Sequence, residues 1–235
     1  MKNFILSGDG VFHTIQGEGN FAGIPTTFIR LNKCNLSCMW CDTPYTWNPK
    51  LKEYLEEERS VTIDDIHTLI QQKQSFLKTK CNNLVFTGGE PMIQQIVIAE
   101  FCLKYPDYEI QIETNGTIQP IAGFEKKIKQ FNISPKLSNS GNKKEVRYKE
   151  DILKYYANLE NTIFKFVVKD EDDLDEIKND FPFVPIEKIW IMPEGIHYNE
   201  YREVFKKTIN KIIQEGYNIS LRGQNIYFEP NTRAK

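Results

Sequence analysis

The chain has 235 residues, of which 40% are hydrophobic and 26% are charged, and its 30 basic and 32 acidic side chains leave a formal net charge of -2. This length and composition predict one domain over residues 1–235 with a substantial hydrophobic core. The charge balance gives no reason to expect a nucleic-acid partner. The N-terminus lacks the apolar region of a signal peptide, and no apolar stretch approaches the roughly 20 residues that cross a bilayer, so we expect a cytoplasmic protein with no membrane partner.

Short β-branched or aromatic segments alternate with helical patterns along the chain, which is typical of parallel strands joined by helices. The strands are predicted at residues 26–31, 84–87, 108–113, 131–134, 163–168 and 188–192. The helices are predicted at residues 63–74, 91–104, 150–159, 172–179 and 199–214.

Local signals support several of these helix ends. Thr62 with Asp65 predicts a capping box, Pro91 a first helical turn, and Gly216 a helix end.

Unusual polar segments follow five of the six predicted strands, and in a parallel barrel these strand ends converge on one face. We therefore predict an α/β fold, a partial (β/α)6 barrel of the TIM type, with one site at that face.

Three cysteines directly after the first predicted strand are the strongest chemical signal. Cys34, Cys38 and Cys41 have C-x3-C-x2-C spacing. A cubane 4Fe-4S cluster takes one thiolate per iron, so three cysteines leave one iron open to another ligand. Zinc sites usually pair a C-x2-C with a second distant pair, whereas Cys81 and Cys102 stand alone and are expected to be small buried residues. The odd number of cysteines also disfavours a disulfide framework.

Other polar segments have both a functional and an ordinary explanation. Gly88-Gly89-Glu90 combines close backbone approach with a carboxylate that can bind an ammonium, although plain strand-helix connections look the same. Residues 14–19, TIQGEG, carry an amide and a carboxylate that suit a planar, amide-rich ligand, as a generic loop also does. Arg30 can pair with a substrate carboxylate or form a surface salt bridge. Thr43 offers a hydroxyl to magnesium.

Taken together, these segments resemble one family. TIQGEG, FIRLNKCNLSCMWCDT, TGGEP, IETNGT, ISPK, FKFVV and IMPEG occur in the order and spacing of the 7-carboxy-7-deazaguanine synthases, which are radical S-adenosylmethionine (SAM) enzymes. The resemblance extends from Thr14 to about Gly195. It implies a homodimeric lyase of queuosine-type 7-deazapurine biosynthesis that converts 6-carboxy-5,6,7,8-tetrahydropterin to 7-carboxy-7-deazaguanine and releases ammonia. It also implies a reductant such as flavodoxin or ferredoxin.

The same resemblance implies the residues of the site. Cys34, Cys38 and Cys41 would hold the 4Fe-4S cluster, SAM would bind the open iron, and Thr43 would contact Mg²⁺. No side chain is assigned as catalytic, because the 5'-deoxyadenosyl radical from SAM supplies the chemistry. The substrate would contact Ile15, Gln16, Gly17, Glu18, Arg30 and Thr87. The cluster and SAM would contact Trp40, Asp42, Gly88, Gly89, Glu90, Glu113, Asn115, Ser134, Pro135, Lys136, Met192, Pro193 and Glu194.

Two alternatives share part of this pattern. A radical SAM activase that abstracts hydrogen from a glycine of a partner protein has the three-cysteine motif but no need of TIQGEG or Arg30. A non-catalytic iron-sulfur module needs neither the GGE segment nor the later strand-end segments. The chain from about residue 216 departs from the family pattern, because Gln224 stands where relatives often have a histidine. That departure leaves a substrate contact from the last strand in doubt.

Overall fold

The structure is a computed structural model that describes residues 3–195 and 197–228. Within these residues the strands are β1 (Phe4–Ile15), β2 (Pro25–Leu31), β3 (Arg59–Val61), β4 (Asn83–Gly88), β5 (Glu109–Thr114), β6 (Gln130–Ile133), β7 (Thr162–Val168), β8 (Ile189–Pro193) and β9 (Asn218–Ile219). The α-helices are α1 (Glu53–Glu56), α2 (Ile63–Lys73), α3 (Gln95–Lys104), α4 (Lys144–Arg147), α5 (Glu150–Ala157), α6 (Glu171–Asp180), α7 (Tyr198–Glu215) and α8 (Gln224–Tyr227).

The strands form one sheet in the order β3-β1-β2-β4-β5-β6-β7-β8-β9. From β2 to β9 all neighbours are parallel, whereas β1 is antiparallel to both β2 and β3. Because β3 and β9 are edges in the described part of the chain, the sheet is an open barrel. The predicted α/β partial barrel is therefore confirmed. The six predicted strands are all present with ends within one residue. Four of the five predicted helices have ends within two residues, whereas α3 begins at Gln95, four residues after the predicted start, because a 3-10 helix covers Pro91–Gln94.

The sequence analysis missed β1, β3 and β9. β1 is interrupted where its register with β2 shifts between Leu6 and Val11, and there Gly8 and Gly10 have φ values of 60° and 68°. Such glycines interrupt a strand pattern. β3 and β9 have only three and two residues. As a consequence, the TIQGEG loop leaves the end of β1 and lies beside the start of β2.

Successive side chains along each parallel strand point alternately to the outer face and to the inner face of the barrel. On the outer face, Phe164 and Phe166 of β7 belong to the main hydrophobic core beneath the helices. Between them, Lys165 points to the inner face, where β5 contributes Gln111 and Glu113. The inner face therefore carries polar side chains from β5 and β7, beside an apolar cluster of Phe12, Phe28 and Val85.

The predicted helix signals are confirmed. Thr62 and Asp65 form a capping box at α2, Pro91 occupies the first turn of a 3-10 helix that leads into α3, and Gly216 ends α7 in the left-handed conformation. Among the residues with described structure, no helix combines the length and the apolarity that crossing a bilayer requires.

Candidate active site

The three cysteines lie in one loop between β2 and a 3-10 helix at Pro44–Thr46. None forms a disulfide; Cys38 is buried, and Cys34 and Cys41 are half-buried. Lys33 introduces the loop with φ of 76°, the one non-glycine residue with positive φ in the described chain. Its ammonium is held by an ion pair with Glu58 and a 3.0 Å hydrogen bond to the hydroxyl of Tyr54. These contacts fix the point where the chain turns into the cysteine loop.

The two glycines at the end of β4, Gly88 in the strand and Gly89 just after it, allow the cysteine loop to pass close to them. A Cβ on Gly88 would overlap the backbone of Leu31, and one on Gly89 would overlap the carbonyl of Lys33. The amide of Gly89 donates to the carbonyl of Leu31 at 2.9 Å, and the amide of Glu90 donates to that of Lys33 at 2.7 Å. The glycines are therefore required by protein backbone, whatever ligand also approaches them.

The carboxylate of Glu90 is fully buried and bound by protein donors. It accepts hydrogen bonds from the amide of Met92 at 2.9 Å, the hydroxyl of Thr114 at 2.6 Å and the amide of Asn115 at 2.7 Å. Burial raises the pKa of Glu90, and these hydrogen bonds oppose the rise. The side chain thus connects the segment after β4 to the end of β5. Its partners in the structure are a hydroxyl and two backbone amides of the protein.

Polar and aromatic side chains surround the thiols. The amide of Asn142 donates to Sγ of Cys38 at 3.3 Å, and Oγ1 of Thr43 lies 3.7 Å from Sγ of Cys41. The ammonium of Lys136 is 5.4 Å from the ring of Trp40. In the described residues, no three or more His, Cys, Asp and Glu side chains converge to chelate a single metal ion.

The donor set fits an iron-sulfur cluster. Three unpaired thiols stand in one loop, as the three-cysteine ligand set requires. Burial raises the pKa of the Cys34 thiol to about 12, and Lys136 works in the opposite direction by favouring the thiolate. A nearby cation and an amide donor to sulfur are the kind of surroundings that tune such clusters.

A second group of polar side chains lies on the inner face of the barrel. Nε2 of Gln16 donates to Oε1 of Glu113 at 3.2 Å, and the hydroxyl of Thr87 donates to Oε2 of Glu113 at 2.7 Å. The TIQGEG loop therefore reaches the strand ends through its side chains, although its backbone lies beside the start of β2. Gln16 and Thr87, which the resemblance assigned to the substrate, therefore both contact Glu113, which it assigned to SAM.

Glu18 of the same loop is held by three side chains. Lys165 forms a buried ion pair with Oε2, and Nε2 of Gln224 donates to Oε1 at 2.7 Å. Nε of Arg222 lies 3.5 Å from Oε1. Burial alone would raise the pKa of Glu18, but Lys165 and then Arg222 hold it at about 2. The carboxylate is therefore ionised at neutral pH, and Glu18 and then Glu113 raise the pKa of Lys165 against the effect of its burial.

The segment after β9 contacts the TIQGEG loop directly. The amide of Gly19 donates to the hydroxyl of Ser220 at 2.9 Å. A Cβ on Gly17 would overlap the side chain of Gln224, so this glycine is required by a protein contact. The sequence left a substrate contact from this segment in doubt, and the structure shows that the segment packs against the TIQGEG loop.

A model of the radical SAM superfamily matches residues 28–163, from β2 to the start of β7. A 7-carboxy-7-deazaguanine synthase of Rickettsia prowazekii is 38% identical over 72% of this chain and 69% of its own length. One of Halobacterium salinarum is 30% identical over 90% of this chain and 86% of its own length. The chain belongs to the 7-carboxy-7-deazaguanine synthase family of the radical SAM superfamily. A crystal structure titled QueE from Escherichia coli shares the fold, with a TM-score of 0.69, 23% identity and 94% of each chain covered.

In this member of the 7-carboxy-7-deazaguanine synthase family, most of the predicted residues fall into two groups. Asp42 belongs to the group around the TIQGEG loop through Arg222, which also contacts Glu18. The other members of that group are Gln16, Gly17, Thr87 and Glu113. The group around the cysteines comprises Trp40, Thr43, Gly88, Gly89, Glu90, Asn115, Ser134 and Lys136. Buried Pro135 lies between the last two in sequence.

The remaining predicted residues lie outside these contacts. The guanidinium of Arg30 is 5.2 Å from the ring of Phe12 on the inner face. Ile15 is the last residue of β1. Met192, the last residue of the predicted strand, and Pro193 are the final residues of β8, and half-buried Glu194 follows them. Pairing with β7 extends to Pro193, and this pairing sets the end of the strand.

Sequence reasoning missed two cations of the site. Lys165 had a signal, because it is a charged residue in the middle of the apolar segment FKFVV. A buried strand tolerates such a residue only where a partner compensates its charge. Arg222 had no comparable signal, since it lies in the segment that departs from the family pattern.

Proposed function

We propose that this chain converts 6-carboxy-5,6,7,8-tetrahydropterin to 7-carboxy-7-deazaguanine with release of ammonia, in queuosine-type biosynthesis. One observation carries the proposal: the cysteine loop, the GGE segment and the TIQGEG loop belong to one connected set of contacts around the inner face of the barrel. An activase or an electron-transfer module has no need of the TIQGEG loop. Membership of the synthase family supports the same choice.

Cys34, Cys38 and Cys41 would hold the 4Fe-4S cluster, and SAM would lie between the cysteine loop and the ends of β4 to β8. When bound, the cluster and SAM supply the radical chemistry that removes a hydrogen atom from the substrate. The protein's own contribution is position and exclusion of water. Glu90 fixes the GGE segment relative to Asn115, so that backbone groups of both segments keep their places around the ligand.

The pterin would lie on the TIQGEG side of the site. A pterin ring presents neighbouring N–H donors on one edge, and the ionised carboxylate of Glu18 is a matching acceptor. Lys165 and Gln224 take only part of the acceptor capacity of a carboxylate, which has about four lone-pair sites. Arg30 has an aromatic contact and no ion pair within the described structure, so its guanidinium suits the substrate carboxylate.

Further components belong to the proposal. Thr43 would contribute one oxygen to Mg²⁺, with the other ligands from substrate and water, since magnesium usually keeps several waters. A flavodoxin or ferredoxin would supply the electron. The enzyme would act in the cytoplasm, where five unpaired cysteines are stable. A homodimer is supported by α3, which exposes Ile96 and Leu103, seven residues apart on one face.

The test is product formation by the anaerobically reconstituted protein with SAM, reductant, Mg²⁺ and carboxytetrahydropterin, followed by mass spectrometry. We expect the mass of 7-carboxy-7-deazaguanine, and less of it from the Arg30→Ala variant. The matched control is Arg202→Ala, which removes an exposed arginine from α7 and is expected to preserve product formation. Absence of product from wild-type protein with a complete cluster would exclude the proposal.

A further inference from the structure

Arg222 contacts three separate segments of the site. Its guanidinium forms an ion pair with Asp42, which directly follows the last cysteine of the loop. Nη1 donates to the carbonyl of Gly195, after β8, at 2.9 Å. Nε lies 3.5 Å from the carboxylate of Glu18 in the TIQGEG loop. One side chain from beyond β9 therefore touches the cysteine loop, the segment after β8 and the TIQGEG loop.

The surroundings of Arg222 favour this three-way contact. Its side chain is 14% exposed, as is that of Glu18, whereas that of Asp42 is 46% exposed. A buried guanidinium needs partners for its charge, and its planar group has five N–H donors that point in different directions. A lysine in the same place would offer one compact charge and could not reach all three partners at once.

The backbone around Arg222 is held in place independently of the guanidinium. The amide of Gly223 donates to the carbonyl of Gly17 at 2.8 Å, and the amide of Ser220 donates to that of Ile191 at 2.9 Å. The side chain of Arg222 thus starts from a fixed point and extends toward the cysteine loop. This arrangement can transmit the position of one loop to the other.

We propose that Arg222 is a positioning residue that couples the TIQGEG loop to the cysteine loop and so sets the substrate relative to the cluster and SAM. The inference rests on the proposed function for the identity of the two ligands. It assigns to the segment after β9 a part in catalysis that acts through Glu18 and Asp42. A purely structural arginine would instead stabilise the whole barrel and have no particular effect on these two loops.

The first experiment is hydrogen exchange with mass spectrometry on the full-length protein with its cluster, comparing wild type with Arg222→Ala. We expect faster exchange in the peptides that cover residues 16–24 and residues 38–46, with unchanged exchange in β5 and β7. Asp42→Asn should affect residues 38–46 only. Arg202→Ala removes the same charge from an exposed position and should leave all of these peptides unchanged.

The second experiment is steady-state kinetics with the pterin. A misplacement of about 1 Å costs roughly a hundredfold in rate, so kcat/KM should fall about a hundredfold in Arg222→Ala. Arg222→Lys should recover part of that loss, because it keeps the charge and loses only some of the contacts. If Arg222→Ala does not fold, Arg222→Lys is judged by the same exchange criteria.

Two results would overturn the proposal. One is unchanged exchange in either loop of the variant that folds. The other is an equal rise of exchange in β5 and β7, which would indicate general destabilisation. The exchange measurement needs no pterin, so a wild-type protein without synthase activity would refute the proposed function and leave the test of loop coupling intact.

Discussion

The amide of Gly223 donates a 2.8 Å hydrogen bond to the carbonyl of Gly17, across more than 200 residues of sequence. This backbone contact joins the segment after β9 to the loop that carries Gln16 and Glu18. Neither glycine leaves room for a side chain, because a Cβ on Gly17 would overlap Gln224 and one on Gly223 would lie 2.9 Å from the ring of Tyr227. The loop and the segment therefore form one wall of the site.

The Gly17→Ala substitution should separate the TIQGEG loop from the segment after β9. The new methyl group would displace Gln224 from Glu18, so we expect at least a tenfold loss of kcat/KM, on the order of the loss expected when a positioned group moves. The control is Gly23→Ala, later in the connection between β1 and β2, where φ is 92° but nothing lies within 4 Å of the added Cβ. Gly23→Ala should cost about 1 to 2 kcal/mol of stability through backbone strain and retain activity. Equal activities of the two variants would contradict the contact.

The five cysteines should divide into two classes. Replacing Cys34, Cys38 or Cys41 by Ala removes a proposed cluster ligand, so turnover should be abolished and iron content should fall. Cys81 and Cys102 are buried away from the loop, where the thiol of Cys81 contacts the carbonyl of Pro25 and Cys102 belongs to the main core. Their Ala variants should keep turnover. Loss of iron from either of these two variants would overturn the ligand assignment.

Gly89→Ala should disturb the cysteine loop specifically. The added Cβ would meet the backbone carbonyl of Lys33, which cannot move without displacing Cys34. Overpacking of this kind typically costs about 1 to 3 kcal/mol, and we expect the reconstituted variant to hold less iron than wild type. The control is Gly123→Ala, at φ of 82° and in open space, which should keep its full iron content. Iron analysis after anaerobic reconstitution compares the two.

The ionisation of Glu18 should make the free energy of unfolding depend on pH in the acidic range. Its pKa in the folded chain, about 2, lies below the ordinary value of 4.5, so its contribution is complete above about pH 4.5 and is lost as pH falls toward 2. The shift of about 2.5 units corresponds to about 3 kcal/mol at most. The difference in unfolding free energy between wild type and Glu18→Gln, measured with urea, should shrink by about that amount across this window.

Two outcomes bear on this pH prediction. Glu56→Gln, a change of an exposed carboxylate on α1, should leave the stability of the protein within about 0.5 kcal/mol of wild type at neutral pH. A difference between wild type and Glu18→Gln that stays constant from pH 5 to pH 2 would contradict the ion pair with Lys165.

The sequence predicted the parallel strands well because their buried, β-branched and aromatic residues are a local signal. It also placed the cysteines correctly after β2 and the GGE segment correctly at the end of β4. It missed β1, where Gly8 and Gly10 interrupt the pattern, and it missed the partners of Glu18. Lys165 lies 147 positions from Glu18, and no local pattern announces an ion pair over that distance.

The contact between Arg222 and Asp42 was beyond sequence reasoning for the same reason, since 180 positions separate them. The protein partners of Glu90 were beyond sequence reasoning for another reason. Its carboxylate is fully buried. It accepts a hydrogen bond from the amide of Asn115 because the ends of β4 and β5 lie close together. Only the folded chain defines that approach.

The central claim is an iron-sulfur cluster with one open iron that binds SAM beside a pterin site. Electron paramagnetic resonance of the reduced, anaerobically reconstituted protein tests it most directly. We predict about four irons per chain and a change in the spectrum when SAM is added, with no such change in Cys38→Ala. A wild-type cluster whose spectrum is indifferent to SAM would contradict the account.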